Sequence, residues 1–250
     1  MTLPLENLKP LFYRLLVGTW LVCLVSSAQA ETNPNQPWHG LQRFFNSNNS
    51  GTRLEPHKPA SAGSFDYYLL ALSWSPAYCL LQADHAPQDQ CGYKRFGFVV
   101  HGLWPQFENG YPSSCDAHPQ SVPDDVAKNS LPIMPSRSLI EHEWAKHGTC
   151  SGLSVNAYFN AIDQAYSSVN IPSELKDLQT ALRVNPSDLA MKIQQANPGF
   201  PPNAIAINCK SGQLSEVYLC LDKQLQARTC SAEVLKRQCK YQTIIVPPLR

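Results

Sequence analysis

From residue 65 onward, runs of apolar bulk alternate with short polar punctuation. Residues 65–76, "FDYYLLALSWSP", are aromatic and aliphatic and close on Ser-Pro, which predicts a strand. Residues 96–105, "FGFVVHGLWP", are apolar on both faces, as a central buried strand is. Alternation along it puts Gly97, Val99 and His101 on one face. The period then changes. Ser138-Leu-Ile-Glu141 reads as a capping box opening a helix, and Gly148 as the residue after its last turn. Residues 154–169, 173–182 and 187–196 predict three further helices, each opened by Ser and two followed closely by Asn-Pro. Strand patterns return at 204–209, 214–222, 226–230 and 241–247. Strands, then helices, then strands predict an α+β fold with a central, mostly antiparallel sheet flanked by helices. No internal repeat interrupts it.

The first thirty residues stand outside this pattern. Lys9 and Arg14 precede the apolar run "LLVGTWLVCLVSS", which ends on Ala28-Gln29-Ala30. A basic start, a short apolar core and an A-x-A ending predict a secretory signal peptide over 1–30. The alternative is a membrane anchor, but the run falls short of the roughly 20 residues that span a bilayer. Residues 31–63 are rich in Asn, Pro, Ser and Gly and predict a flexible lead-in, leaving 64–250 as the folded domain. A recognition arm using Trp38, Phe44 and Phe45 is the functional alternative for that segment. Asn48-Asn49-Ser50 is a glycosylation sequon, meaningful only in a eukaryotic host.

Composition adds three constraints. The chain has 250 residues, 43% of them hydrophobic, enough for one large domain. It carries 20 basic and 19 acidic residues; Lys9, Arg14 and Glu6 leave with residues 1–30, so the remainder is formally neutral. Global charge therefore neither favours nor excludes a nucleic-acid partner, and any pull on phosphate must be local or come from histidines charging at mildly acidic pH. Of 9 cysteines, Cys23 lies in the signal peptide. The other eight (Cys79, Cys91, Cys115, Cys150, Cys209, Cys220, Cys230 and Cys239) form an even set in an exported chain and predict four disulfides, whose pairing the count cannot assign.

The chemistry concentrates in "HEWAKHGTC", His142 to Cys150. It is not a metalloprotease helix. That motif needs histidines at i and i+4, whereas His142 and His147 are five apart and Lys146 takes the second ligand's place. A cysteine nucleophile is disfavoured because an even cysteine set in an oxidising compartment makes Cys150 half of a disulfide. On a helix, His142 and Lys146 form one i, i+4 stripe and Glu143 and His147 another, side by side. Glu143 can then orient His147, which sits where the helix dipole favours a cation. A solvated surface helix with ordinary i, i+4 pairs accounts for this segment equally well. His101, beside Trp104 at the end of a buried strand, shifts the balance. A strand-end histidine and a helix bearing two more supply an acid and a base near neutral pH.

"HGLWP" (His101 to Pro105) and "HEWAKHGTC", in this order and at this separation, closely resemble the two signature segments of the T2-type ribonucleases. The resemblance covers about residues 65–246. It implies an α+β fold and an endoribonuclease that cleaves single-stranded RNA by transesterification through the 2′-hydroxyl, leaving 2′,3′-cyclic phosphate, with no metal and no other cofactor. It implies His147 as base, held by Glu143, and His101 as acid. Lys146 stabilises the crowded phosphorus, and His142 helps hold the phosphate. Trp104 resembles the family's base-stacking residue, with core packing as its other role; Phe107 and Tyr111 are further candidates. Gln106 stands where some base-selective members carry Asp, which argues for broad base specificity. The family pattern also implies the bridges Cys79–Cys91, Cys115–Cys150, Cys209–Cys239 and Cys220–Cys230. The expected protein is a monomer, secreted or periplasmic, with RNA as its partner and no membrane association after signal cleavage. The rival is an inactive RNA- or glycan-binding relative; such relatives lose one of the two histidines, and both are present here.

Overall fold

The computed structural model describes residues 61–249. The expected signal peptide over 1–30, residues 31–60 of the lead-in and the Asn48 sequon lie outside the described residues. The Gly63 N–H donates to Cys150 O at 2.9 Å, so the lead-in's last residue already bonds to the domain.

The sheet forms where the sequence alternates. Strands β1 (Tyr67–Trp74), β2 (Phe98–Gln106), β3 (Leu182–Val184), β4 (Ile205–Lys210), β5 (Gln213–Leu221) and β6 (Ile244–Val246) share one sheet, ordered β2-β1-β5-β6-β3, with β4 on β5. All pairings are antiparallel except β5 with β6. Tyr68, Leu70, Leu72 and Trp74 of β1 and Val217, Leu219 and Leu221 of β5 point to the main core, as period two requires. Tyr67, Leu69 and Ala71 point to a smaller cluster on the opposite face.

β2 departs from strict alternation, and the site depends on it. Leu72 pairs with Val100 and Ala71 with Gly102, so His101 is the extra residue of a β-bulge. Phe98, Val100 and Leu103 therefore face the main core, while Trp104 joins the opposite cluster. Without the bulge, His101 and Trp104 would lie on opposite faces.

The helices are α1 (Ser75–Gln82), α2 (Gln88–Cys91), α3 (Asp124–Ser130), α4 (Arg137–Lys146), α5 (Val155–Ser167), α6 (Ser173–Lys176), α7 (Pro186–Ala196) and α8 (Ala232–Arg237). Leu139, Ile140 and Trp144 of α4, Tyr158, Phe159 and Ile162 of α5, and Leu189 and Ile193 of α7 cover the main-core face of the sheet. Among the described residues, no helix is long and apolar enough to cross a membrane. The four disulfides are Cys79–Cys91, Cys115–Cys150, Cys209–Cys239 and Cys220–Cys230.

Several local expectations are corrected. Ser75-Pro76 closes β1 as expected but also opens α1, with Pro in the first turn, where its missing N–H costs nothing. The helix expected over 173–182 stops after one turn at Lys176; Leu182 instead begins β3, which pairs with β6. The strand expected over 226–230 is a single bridge, Leu221 to Ala227. Ser138 and Glu141 form no capping box. α4 begins at Arg137, and Glu141 is held by Arg137, Ser121 and the Val122 N–H. Nor is Gly148 a left-handed cap: the chain runs on into a 3-10 turn, Gly148–Cys150. A Cβ at Gly148 would stand 2.3 Å from the Trp144 ring and 2.9 Å from Tyr158, so glycine is required there by close packing.

Candidate active site

α4 lies beside β2, burying Leu139, Ile140 and Trp144 in the core. That anchoring turns the Glu143/His147 stripe towards the sheet. Glu143 is 1% exposed and His147 4%, while His142 and Lys146 stay half-buried. The end of the helix is fastened by the Cys115–Cys150 bridge and by the Ser114 N–H, which donates to Lys146 O at 2.8 Å.

Glu143 does not hold His147, contrary to the sequence expectation. Its Oε2 accepts from Trp104 Nε1 at 2.7 Å, and its Oε1 lies 3.6 Å from His101 Nε2. Gly102 makes this possible, because a Cβ there would sit 2.1 Å from Glu143 Oε2 and 2.3 Å from Trp104 Nε1. The Trp104 indole touches both histidines. Its centroid is 5.0 Å from the His101 ring, edge on, and 5.2 Å from the His147 ring, stacked. Trp104 is buried, with Tyr218 packed against it at 5.7 Å, so it fills the floor between the histidines as well as carrying a π-face.

Three residues that the sequence pattern did not single out complete the arrangement. His101 Nδ1 lies 2.7 Å from Glu216 Oε1 on β5. Tyr218 donates to Glu216 Oε2 at 2.8 Å, and Ser73 Oγ to Oε1 at 3.1 Å. One signal was present: in "LSEVYLCL", Glu216 and Tyr218 share a strand face in an apolar run, and a buried carboxylate there demands partners.

These surroundings drive the two histidines apart electrostatically. Burial alone would strip His101 of its proton, but the hydrogen bond and charge of Glu216, together with the charge of Glu143, outweigh it and raise its pKa. Burial also drives His147 well below the ordinary histidine value, and Lys146, His142 and His101 add to the fall. His147 Nδ1 is buried and has no hydrogen-bond partner among the described residues. The helix terminus therefore does not make His147 a cation. His142 is lowered to about 4 by burial, Lys146 and His101, so it is a neutral ring near neutral pH. Burial works against the Glu216 carboxylate, yet His101, Tyr218 and Ser73 bring its pKa below the ordinary value. Glu143 is raised by burial, which His101, Trp104 and Lys146 only partly offset.

The remaining candidates are peripheral or buried. The Tyr111 ring centroid lies 6.1 Å from that of His147. Phe107 packs against the main core. Gln106 is buried, with its Nε2 donating to Pro105 O at 3.0 Å. A cleft of about 680 Å³ lies along α4, lined by Gln120, Ser121, Arg137, Glu141, His142 and Trp144 among others. Only His142 joins it to the histidine site.

The chain and its fold resemble known proteins. Residues 65–230 match the model of the Ribonuclease T2 family. A ribonuclease of Aeromonas hydrophila is 38% identical over 182 residues, covering 71% of this chain and 81% of that protein. Among solved structures, an RNase-related protein from Calystegia sepium superposes with a TM-score of 0.62 at 27% identity, over 74% of this chain and 98% of that one. RNase NT in complex with 5′-AMP superposes with a TM-score of 0.60 at 26% identity, over 74% of this chain and all of that one.

Proposed function

The chain belongs to the ribonuclease T2 family and is an RNA-cleaving enzyme; from that premise we propose that it cuts single-stranded RNA by internal transesterification with little base selectivity. Neutral His147 takes the proton of the 2′-hydroxyl, and that oxygen attacks the adjacent phosphorus. His101, protonated, delivers the Nε2 proton to the departing 5′-oxygen. The products are a 2′,3′-cyclic phosphate and a free 5′-hydroxyl. Lys146 brings positive charge to the non-bridging oxygens, where charge placed in a preorganised site is worth about 3–4 kcal/mol. Neutral His142 assists as a hydrogen-bonding ring. Glu143 holds Trp104 and faces His101.

The observation that carries this reading is the pairing of opposite environments on one indole. Glu216 raises the pKa of His101 above the ordinary histidine value, and burial beside Lys146 lowers that of His147 well below it. An acid and a base in complementary states at one pH are what the reaction requires. The Gln106 amide, buried with its Nε2 on Pro105 O, offers no carboxylate to a base, which supports broad base tolerance.

Digestion of total RNA in EDTA, with the ends analysed by phosphorus NMR, tests the chemistry. Cyclic-phosphate ends are expected, together with full resistance of DNA and 2′-O-methyl RNA, which lack the attacking hydroxyl. Direct release of 5′-phosphates would overturn the mechanism. His101→Phe or His147→Phe retaining full activity would overturn the assignments. Cleavage rates across a set of dinucleotides should agree within about tenfold, or one pocket's worth of discrimination.

Export fits the four bridges, which persist in oxidising compartments. The mature chain is read as a secreted or periplasmic monomer starting near Glu31, which N-terminal sequencing of the fractionated protein tests.

A further inference from the structure

Glu216 lies 115 residues from His101 in sequence, on a different strand, and meets it only because β1 stands between β2 and β5 in one sheet. Period-two alternation puts Ser73, Glu216 and Tyr218 on the same face of the sheet. Both carboxylate oxygens are engaged. Oε2 takes the Tyr218 hydroxyl, and Oε1 takes Ser73 Oγ and His101 Nδ1. The group is 4% exposed, so its orientation is set by the protein alone.

A carboxylate cannot donate, so Nδ1 of His101 must carry a proton in both the charged and the neutral ring. The proton that leaves in the reaction is then the one on Nε2, the nitrogen that faces α4. We propose that Glu216 is a positioning residue for the reaction: with Tyr218 and Ser73, it fixes the orientation and tautomer of His101 and holds the ring in its proton-donating state. This inference rests on the acid role given to His101 above.

The other groups facing His101 do not duplicate this role. Glu143 reaches Nε2 only at 3.6 Å and is committed to the Trp104 indole. Lys146, His142 and His147, on α4 and at its end, either oppose a charge on His101 or are themselves held neutral. The indole of Trp104 meets the ring edge on and supplies no formal charge.

The test is the pH dependence of cleavage by Glu216→Gln, beside the wild type. Glutamine keeps the shape and an acceptor for Nδ1–H but loses the charge. The alkaline limb of kcat/KM should move down by about one pH unit, the shift expected when a close opposite charge is removed. The acid limb should stay in place, since it reports His147. Tyr218→Phe, which keeps the carboxylate but removes one of its donors, leaves a more basic acceptor for Nδ1–H and should move the same limb up, by less. An alkaline limb unmoved in folded Glu216→Gln, whatever the rate, overturns the proposal and leaves Glu216 a structural residue. If that variant does not fold, Tyr218→Phe decides on the same criterion. Nitrogen-15 NMR of the wild type gives a readout independent of turnover. His101 should titrate at Nε2 and keep Nδ1 protonated throughout; an Nε2–H neutral tautomer overturns the proposal. Absence of cyclic-phosphate products from the wild type would instead remove the function itself, so the two failures are distinguishable.

Discussion

A methyl group at position 102 would occupy the space where Glu143 Oε2 meets Trp104 Nε1. Gly102→Ala should therefore push the carboxylate and indole apart and tilt the floor on which both histidines rest. Overpacking of this kind costs about 1–3 kcal/mol of stability. The larger effect is expected in kcat, down about 10²-fold, since a 1 Å misplacement of a reacting group costs that much. A melting curve and steady-state kinetics on one preparation check both, and unchanged kcat would mean that the pair tolerates separation. The histidines carry a second residue-scale expectation. His147 sits well below 6.5 and His101 above it. A neutral base and a charged acid coexist between those values, so kcat/KM should be bell-shaped, with its acid limb below 6.5 and its alkaline limb above. A single-limbed profile would contradict the two-histidine assignment. At this scale the sequence identified His101, Glu143 and His147 as residues but misread one contact: it paired Glu143 with His147 by helical spacing, whereas the bulge at His101 presents Trp104 to Glu143 instead.

α4 shows how an element converts a pattern into a site. Its apolar side docks in the core, its Glu143/His147 stripe is pressed to β2, and its last turn is clamped through Cys150. The bridge to Cys115 closes a 35-residue separation. Constraining an unfolded chain over that length is worth about 4 kcal/mol in the entropic account. Cys115→Ala with Cys150→Ala should lower stability by about that amount. At low temperature it should raise KM less than it lowers kcat, because Lys146 and His147 sit on the loosened turn. Denaturant titration and kinetics measure the two effects; loss below about 1 kcal/mol would mean that core packing alone holds the turn. Elements were the most legible level in the sequence, since periodicity is local. Where they were misread, tertiary pairing decided: Leu182 to Val184 is drawn into β3 by β6, against the helical pattern before it.

For the whole molecule, the histidine environments set how stability changes with pH. His142 titrates at about 4 in the fold against 6.5 in an open chain, and His147 is lowered too. Between those pH values the unfolded chain takes up protons that the fold refuses, so stability falls as pH drops. Glu216, lowered in the fold, adds to the loss as the pH passes below 4.5. His101 and Glu143, both raised, act in the opposite sense: their contribution is greatest at acid pH and is lost as pH rises through their folded values. The two lowered histidines dominate the window from 6.5 to 4, and Tm should fall across it. His142→Gln should flatten part of that fall, and an equal slope in the variant would assign the loss elsewhere. Full reduction should lower Tm sharply as well, because four bridges constrain the domain.

By itself the sequence determined the α+β class, most of the strands, the eight paired cysteines and the two segments whose histidines meet at the candidate site, because spacing and residue chemistry are properties of short stretches. The folded structure alone decided which of those groups touch. The bulge that turns His101 and Trp104 to one face, the Glu216 carboxylate behind His101, and the burial that keeps His147 neutral all come from strands and helices distant in the chain. Hydrogen bonding and desolvation depend on what is brought together in space, and no local pattern records that.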